Sequence, residues 1–427
     1  MNIKNKNLIK YNFVLAFILL LINAKYFEHK YIKVAYYCNS LRNGGIERVF
    51  SSLINYLSKE KYFIFYLFTK AKTMKNEYAI SNKTIRISLY ERNINLYEAI
   101  NYENIDILIY NYEDNEIEKL NKLNKTKVIF YNHSSFLYWI YQKQIYNFKD
   151  TAYNLYRSCK YVISVIPLEN DYLFKRWGIK SILMDNPSTY DYDSIIPSNL
   201  ENNNIIMIGR GTDEVKRYEL PIEAMKFIIK EIPDCQMNIV SNVNKKLQNL
   251  IFKLKLKNNV RFTGYLPNVE IYLKNSSLHI LSSLSESYSM ALGEAKIFGI
   301  PSILCGLDFL ALAKGGTIII YDDEPITIAN EAIKILKNRH LRKKLGREAR
   351  ESMKKRKNKL IAKKWIKLLL SVYENDDEVY EELVNNKNKI TDEEANQILN
   401  NQLKLLKKRR TIFKNITLEK FMFYSLT

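Results

Sequence analysis

The fold is decided by the stretch LHILSSLSESYSMALGEAKIFGIPSILC, residues 278–305. Its apolar start, Leu278 to Ser283, predicts a buried strand, and the following residues predict a helix from near Ser287 to Gly299. Glycine suits the position just past a helix end, and Pro301 opens the next predicted strand, Ser302 to Cys305. A strand, a helix and a second strand in this order form the unit of a parallel sheet covered by helices.

The same alternation occurs on both sides of a polar segment that runs from Asn186-Pro187 to Asn204. Before this segment, the predicted strands are Lys33 to Cys38, Tyr62 to Phe68, Asp106 to Tyr110, Lys127 to Tyr131 and Tyr161 to Ile166. After it, they are Ile205 to Gly209, Gln236 to Val240, Val260 to Thr263, Leu278 to Ser283, Ser302 to Cys305 and Thr317 to Tyr321. The sequence therefore predicts two tandem doubly wound α/β domains, residues 31–190 and 200–345. A helical extension, residues 346–427, follows, and Thr391 and Glu394 form a capping box at the start of one of its helices.

Composition narrows the possible functions. The 427 residues suffice for two or three domains, and 47% hydrophobic residues can fill sizeable cores. Four widely spaced cysteines without a CxxC pair argue against a disulfide scaffold or a cysteine-rich zinc site. The net charge is +21, and sixteen Lys or Arg stand against two Glu between Lys334 and Lys367. This charge predicts affinity for nucleic acid, anionic lipid or phosphorylated substrates.

The most basic run, Lys354 to Lys357, raises the possibility of a nucleic-acid-binding protein. Base recognition needs aromatic or polar side chains among the cations, and only Trp365 lies nearby, so nucleic acid is not expected as a partner. An amphipathic helix from about Lys354 to Leu370 better suits an anionic membrane surface, while a solvated helix face is the other interpretation. The apolar residues opposite its lysines are Leu360, Ile361 and Leu368.

Residues 1–30 contain the apolar run FVLAFILLLI, residues 13–22, with lysines on both sides. Counted from Leu8 to Ala24, the segment is at the short limit for spanning a bilayer and includes Lys10. Three interpretations stay open: a membrane anchor or interfacial helix, a cleaved signal peptide, and an apolar helix docked on the protein.

Two carboxylates follow the strand Leu278 to Ser283, at the sheet edge where open α/β sheets bind ligands. Glu286 precedes the predicted helix and Glu294 lies about two turns into it, on the same face. One carboxylate can accept hydrogen bonds from a sugar ring and the other from ribose hydroxyls, although exposed helix glutamates show the same spacing. The first amides of the helix would form an anion site for a diphosphate. These amides belong to Ser287, Tyr288 and Ser289.

Three further groups follow predicted strands. Arg210 and Lys216 follow Ile205 to Gly209, where two cations could neutralise a departing diphosphate. The pair Gly44-Gly45, in Asn-Gly-Gly-Ile-Glu-Arg, would let the backbone approach a ligand closely, although such a pair is commonly just a turn. His133 follows Lys127 to Tyr131 and could contact a sugar hydroxyl or serve only as a structural hydrogen-bonding group.

These motifs together resemble the retaining glycosyltransferases of family 4, the group 1 type with the GT-B fold. The resemblance covers about Tyr31 to Ala349, and its most specific part is the E-x7-E spacing of Glu286 and Glu294. It implies two Rossmann-like domains facing a cleft, an acceptor-side domain first and a nucleotide-sugar donor domain second. It also implies that helices after Gly346 pack back across the first domain.

The resemblance implies a role for each motif. Glu294 would bind the nucleotide ribose, Glu286 and His133 the transferred sugar, and Arg210 and Lys216 the diphosphate. Gly45 would lie at the donor phosphates, and the turn of Gly264 and Tyr265 would border the base. The sequence departs from the family after Cys305, where a GG-x-x-E motif is usual, so a role for Asp308 is in doubt.

The implied reaction moves a sugar from a nucleotide-diphosphate sugar to a glycan or lipid-linked acceptor, with retained configuration and neither cofactor nor obligatory metal. A rival is a metal-dependent GT-A transferase using Asp191 and Asp193, a formal DxD, although these residues lie in a polar segment and not at a strand end. Because nucleotide sugars are made in the cytosol, we expect cytoplasmic catalytic domains associated with a membrane.

Overall fold

The computed structural model describes residues 31–42, 44–114, 116–134, 149–210, 214–385 and 390–409. The apolar N-terminal segment predicted within residues 1–30 lies outside these ranges. Among the residues within them, no helix is both long enough and apolar enough to span a membrane.

The first domain is built on a parallel sheet with the strand order β3-β2-β1-β4-β5-β6-β7. Its strands are β1 (Ile32–Cys38), β2 (Phe63–Thr69), β3 (Ile85–Ser88), β4 (Ile107–Tyr110), β5 (Lys127–Tyr131), β6 (Tyr161–Ser164) and β7 (Ile182–Leu183). All five predicted strands are present, within one or two residues of their expected bounds. The sequence prediction missed the two edge strands because β3 is short and half exposed and β7 has only two residues.

Helices cover both faces of this sheet. They are α1 (Gly45–Leu57), α2 (Leu89–Arg92), α3 (Leu96–Glu103), α4 (Glu116–Leu120), α5 (Lys149–Ser158) and α6 (Pro167–Trp177). Local sequence fixes several of their ends: Asn95 and Glu98 form a capping box at α3, and Pro167 opens α6. The helix that matters most for function is α1, whose apolar face, including Phe50 and Leu53, is fully buried against the sheet.

The second domain repeats the same arrangement, with the strand order β10-β9-β8-β11-β12-β13. Its strands are β8 (Asn204–Ile208), β9 (Gln236–Val240), β10 (Val260–Phe262), β11 (Leu278–Leu281), β12 (Ser302–Cys305) and β13 (Thr317–Ile320). Its helices are α7 (Glu219–Glu231), α8 (Lys245–Lys253), α9 (Glu270–Lys274), α10 (Met290–Ile297), α11 (Pro325–Lys337) and α12 (Arg339–Ser352). In both sheets the strand order reverses beside the first strand, so the ligand crevices lie at the carboxyl ends of β1 and β4 and of β8 and β11.

The helix in the stretch that decides the fold begins later than predicted. α10 starts at Met290 and not near Ser287, because Ser289 is its N-cap and has φ of 61°. The Ser289 hydroxyl accepts a hydrogen bond from the Leu292 amide at 3.4 Å. The helix ends as predicted, with Gly299 just past it at φ 69°.

Three C-terminal helices follow: α13 (Asn358–Glu374), α14 (Asp377–Val384) and α15 (Asp392–Arg409). The first two pack on the first domain. The Trp365 ring of α13 lies 5.1 Å from that of Tyr131, and the Tyr380 hydroxyl of α14 accepts a 3.2 Å hydrogen bond from the Val162 amide. The apolar face of α13 therefore contributes to the core of the domain on which it packs.

This packing corrects the expectation that an apolar face of residues 354–370 lies on a membrane. Ile361 and Leu368 are buried inside the protein, and only Leu360 keeps 37% of its surface exposed. The basic run is largely engaged as well: Lys354 pairs with Glu351, and Lys357 with Asp193. What this region offers to a partner is a surface of lysines and not an apolar stripe.

Candidate active site

A cavity of about 460 Å³ lies where the carboxyl ends of the two sheets face each other. Residues of both domains line it, from the start of α1 and the end of β5 on one side to the loops after β8, β9 and β11 on the other. Every predicted site residue except Gly264 lines this cavity. They are Gly44, Gly45, His133, Arg210, Lys216, Tyr265, Glu286, Ser287, Tyr288, Ser289 and Glu294.

An ion pair lies on the second-domain side of the cavity. Lys216 ends a 3₁₀ turn, Glu214–Lys216, and its ammonium lies 2.6 Å from the Glu286 carboxylate. The Ser283 hydroxyl donates a second hydrogen bond, also 2.6 Å long, to the same carboxylate oxygen. Gly209 is needed here, because a Cβ at this position would lie 2.7 Å from the Tyr218 hydroxyl and 3.4 Å from the Lys216 side chain. The turn after β8 and the loop after β11 are thus joined at the cavity wall.

The second carboxylate, Glu294, is held from the first domain. Its Oε1 lies 2.7 Å from the Arg48 guanidinium of α1 and accepts a 2.9 Å hydrogen bond from the Thr189 hydroxyl. Its Oε2 is buried and has no hydrogen-bond partner among the described residues. Since a buried carboxylate oxygen without a partner is costly, Oε2 is the natural acceptor for a ligand hydroxyl.

Arg48 connects the two domains at the cavity. Its guanidinium also donates to the Pro267 carbonyl at 3.1 Å and lies 5.0 Å from the centre of the Tyr78 ring. Burial alone would lower the pKa of Arg48, but the adjacent Glu294 carboxylate raises that pKa above its ordinary value. The cation therefore remains charged and links α1 to both the Glu294 helix and the loop after β10.

His133 is a neutral group in the cavity wall. Burial lowers the pKa of its imidazole from 6.5 to about 3, so the ring is uncharged at physiological pH. Its Nε2 has no hydrogen-bond partner among the described residues, and the ring packs edge-on against Phe50 at 5.9 Å. A neutral imidazole in this position can exchange a hydrogen bond with a ligand hydroxyl but cannot serve as a cation.

The start of α1 approaches the opposite domain closely. A Cβ at Gly44 would lie 1.7 Å from the Glu47 carboxylate, and one at Gly45 would lie 4.0 Å from the Met290 side chain. Burial raises the pKa of the Glu47 carboxyl, and the Arg210 cation across the cavity opposes that rise. The paired glycines thus let the Glu47 carboxyl fold back over the start of the helix. Asn43, which precedes them, lies outside the described residues.

Comparison with known proteins finds a family match in the second domain. Residues 191–352 match the family model described as "Glycosyl transferases group 1". This part of the chain is therefore similar to a group 1 glycosyltransferase domain. The match covers the turn carrying Lys216 and the loop and helix carrying Glu286 and Glu294, so the cavity lies at the mouth of this domain.

Similar sequences carry names of the same kind. A Campylobacter jejuni protein is 22% identical over 80% of this chain and 99% of its own length; its name is GalNAc-alpha-(1->4)-GalNAc-alpha-(1->3)-diNAcBac-PP-undecaprenol alpha-1,4-N-acetyl-D-galactosaminyltransferase. An uncharacterized glycosyltransferase of Methanocaldococcus jannaschii is 27% identical over 46% of this chain. The chain spans 55% of the length of this second relative.

Solved structures confirm the fold class. Sucrose-phosphate synthase of Thermosynechococcus elongatus has a TM-score of 0.65 at 18% identity and covers 81% of this chain and 100% of its own. Anabaena HepE, solved with UDP and glucose, has a TM-score of 0.64 at 14% identity and covers 80% and 100%. The predicted GT-B architecture of two Rossmann-like domains is therefore correct.

One predicted feature of the loop after β11 is wrong in detail. Because α10 starts at Met290, the amides of Ser287, Tyr288 and Ser289 belong to the loop before the helix and are not its N-terminal amides. The Tyr288 side chain is buried, and its hydroxyl donates to Asp185 at 3.3 Å. Gly264 has the left-handed φ of 85° expected of a glycine turn, but its neighbour Tyr265 is the residue that reaches the cavity.

The residues of the metal-dependent alternative lie elsewhere. Neither Asp191 nor Asp193 lines the cavity, and Asp193 is paired with Lys357, which lowers the pKa of that carboxyl. Within the described part of the chain, no group of three or more His, Cys, Asp or Glu side chains could hold a metal ion. The DxD pattern is therefore a pair of linker acids in this fold.

Sequence reasoning missed the residues that join the domains. Arg48 stands in the glycine motif, but the sequence does not indicate that it pairs with Glu294, because the two residues are 246 positions apart. Asp185 precedes the interdomain segment and accepts a hydrogen bond from Arg356 at 2.8 Å, beside the Tyr288 hydroxyl. An arginine or aspartate engaged between domains has no local sequence pattern that distinguishes it from a solvated one.

Proposed function

We propose that this protein transfers a sugar from a nucleotide-diphosphate sugar to a glycan or lipid-linked acceptor, with retention of configuration, as in family 4. The observation that carries this proposal is the cavity between the two domains, at which Lys216, Glu286 and Glu294 converge within a group 1 domain. The group 1 match and the names of the relatives support sugar transfer; the donor, the acceptor and the retained configuration are parts of the proposal.

We propose one orientation for the donor in the cavity. The ribose hydroxyls would donate to the Glu294 Oε2, the acceptor atom that has no partner among the described residues. The diphosphate would lie against Lys216 and Arg210, two cations that line the same cavity. The sugar would then reach Glu286 and the neutral His133, and the base would lie against Tyr265 and the loop after β10.

The chemistry follows from where charge develops. As the bond between the sugar C1 and the diphosphate oxygen breaks, negative charge grows on the leaving diphosphate, next to the ammonium of Lys216. Fixed cations at that point lower the barrier, since they need no reorganisation during the reaction. For retention, the acceptor oxygen would attack C1 from the side that the diphosphate leaves, and a phosphate oxygen would accept the acceptor's proton. No step of this route is assigned to a metal ion.

A thermal-shift screen against UDP-, GDP-, ADP- and CDP-sugars tests the donor class. We expect one of them to raise the melting temperature, and Glu294→Gln to reduce that rise because an amide offers the ribose only one acceptor atom. Turnover of the selected donor is then measured with and without chelator. Equal rates would support the metal-free route, whereas failure of all four donors to bind or turn over would reject the function.

We further propose that the acceptor is lipid-linked and that the protein works at the cytoplasmic face of a membrane. Two observations support this proposal: the undecaprenol diphosphate in the name of the Campylobacter relative, and the exposed lysines of residues 355–363. Because the apolar face of α13 is buried, binding should be electrostatic and weaken with salt. Sedimentation with anionic and neutral vesicles tests this; equal recovery with both would reject it.

A further inference from the structure

The last described helix, α15, connects the two domains a further time. Its start lies on the first domain, where Asp392 pairs with Lys175 of α6. Farther along, Gln402 donates to the Gly306 carbonyl at 2.7 Å, and Asn401 donates to Asp308 at 2.9 Å. The predicted capping box is half formed, with the Glu394 amide donating to Thr391 at 3.2 Å. α15 therefore begins on the first domain and covers the carboxyl ends of β12 and β13.

The helix ends on a buried arginine behind the cavity. Arg409 retains only 2% of its surface, and its guanidinium donates to Asp323 Oδ2 at 2.7 Å. Asp323 also binds the guanidinium of Arg217, 2.7 Å away, so one aspartate is shared by two buried arginines. Burial alone would raise the pKa of Asp323, but the two guanidiniums lower it to about 2.

Both arginines also hold the loops that carry the cavity ion pair. Arg409 Nη1 donates to the Leu284 carbonyl at 3.4 Å, two residues before Glu286. Arg217 donates to the Ser282 carbonyl at 2.8 Å, and the Ser282 hydroxyl returns a 2.8 Å hydrogen bond to the Lys216 carbonyl. The loop after β11 and the turn after β8 are therefore joined behind the cavity as well as at its wall.

The turn after β8 needs this support. Arg217, the residue next to Lys216, has φ of 46°, in the left-handed region that long side chains rarely adopt. Such a conformation persists only where surrounding contacts determine it. The contacts that hold it come from Ser282 and Asp323, and Arg409 fixes Asp323 from its other side.

We propose that Arg409 is a positioning residue: from the C-terminal helix, it holds Lys216 and Glu286 at the spacing that the transfer reaction needs. The inference rests on the proposed function only for its catalytic consequence, since the contacts hold the loops whatever the ligand is. It gives the C-terminal extension a part in the reaction although no residue of α15 lines the cavity in the described part of the chain.

The test compares three full-length variants. Arg409→Ala removes the contacts, and Arg409→Lys keeps a charge beside Asp323 but loses the fork that reaches the Leu284 carbonyl. The matched control is Lys408→Ala. Lys408 precedes Arg409 on the same helix and forms a surface ion pair with Glu324, which the substitution removes. Each is measured by amide hydrogen exchange at residues 214–217 and 282–287, by melting temperature, and by kcat and KM for the donor.

For Arg409→Ala we expect faster exchange in both loops and a fall in kcat of about 10- to 100-fold, because misplaced reacting groups cost rate. The donor KM should change by less than about threefold, since Glu294 and Tyr265 still hold the nucleoside. Arg409→Lys should show a smaller shift in the same direction, and Lys408→Ala should match wild type.

Two results would overturn the proposal. One is wild-type exchange in both loops of Arg409→Ala; the other is full recovery of kcat by Arg409→Lys, which would mean that only neutralisation of Asp323 matters. A wild-type protein without any sugar transfer would reject the proposed function instead, and the exchange data would still decide whether Arg409 holds the loops.

Discussion

The carboxyl edges of the two sheets face the same cavity with different chemistry. The second domain presents charges: Lys216 and Glu286 lie 2.6 Å apart at the wall, and Glu294 lines the same cavity. The first domain presents a neutral imidazole, His133, and a buried carboxyl, Glu169, lies behind the wall and contacts the preceding residue, Asn132. Glu169 accepts hydrogen bonds from Asn132 at 2.6 Å and Tyr156 at 3.1 Å, and burial raises its pKa to about 8. At neutral pH it is therefore protonated.

This difference shows how one cleft can treat two substrates differently. A leaving diphosphate needs fixed cations, which Lys216 and Arg210 of the second domain supply in the arrangement we propose. An acceptor hydroxyl is neutral until its proton leaves, and uncharged partners suit it. Arg48 is the exception: it is a first-domain cation, and its charge is directed across the boundary to Glu294.

The largest expected effect comes from removing the Arg48 guanidinium that pairs with Glu294. Arg48→Ala leaves the Glu294 carboxylate buried, with Thr189 as its one remaining side-chain partner in the described part of the chain, so we expect a loss of about 3–5 kcal/mol in the free energy of unfolding. Urea denaturation measures it. The control is Arg92→Ala, which removes a more exposed pair with Glu103 in the same domain and should cost less than about 1 kcal/mol. Equal losses in the two variants would show that the buried pair does not join the domains.

A smaller effect is expected from removing charge on the second-domain wall. Lys216→Ala and Arg210→Ala should each cost about 2–4 kcal/mol of transition-state stabilisation, seen in kcat/KM for the donor. Lys226→Ala, an exposed lysine on α7, serves as the control and should leave kcat/KM unchanged. Wild-type activity in both cavity variants would remove these cations from the mechanism.

The smallest expected effect tests whether the buried Glu169 carboxyl of the first domain is protonated. Because the pKa of Glu169 is about 8 in the folded protein and near 4.5 when unfolded, folding takes up a proton between these values. The stability that Glu169 contributes is therefore complete below pH 4.5 and is lost as pH rises toward 8. From pH 6 to pH 7, the free energy of unfolding should fall by about 1.4 kcal/mol more in wild type than in Glu169→Gln. Denaturation at both pH values measures this difference.

The result for Glu169→Gln should be read against Glu201→Gln. Glu201 is exposed, and Arg339 and Lys343 lower its pKa to about 2, so it stays charged across this interval in both states. Its substitution should give a pH-independent change. A parallel pH dependence in the two variants would mean that Glu169 is ionised in the folded protein.

The fold was largely predictable because each central strand is a continuous apolar run between helices. Strands such as β5 and β9, buried on both faces, left that signal in their composition and matched their predicted bounds. Edge strands lack this continuous apolar run. β3, for example, is partly exposed and alternates polar with apolar residues. The start of α10 was misplaced because Ser287 and Ser289 are both suitable N-caps, and only the backbone turn at Ser289 selects one.

The candidate site was predictable where its residues follow strand ends, as Lys216, Glu286 and His133 do. The site was not predictable where the residues that hold it in place lie far apart in the sequence. Arg48 pairs with Glu294, and Arg409 pairs with Asp323, across 246 and 86 positions respectively. Contacts of this kind arise from how the domains pack, and a pattern within a window of residues does not contain them.

The placement of Trp365 and Tyr380 against β5 and β6 has a consequence for biosynthesis. These two side chains complete the core of the domain that leaves the ribosome first, yet they are translated after the whole second domain. At about 5–20 residues per second, the nascent first domain keeps Tyr131 and Tyr161 uncovered for on the order of ten seconds or more. The helices that close its core are made after the whole second domain, so chaperone dependence should be concentrated in that interval.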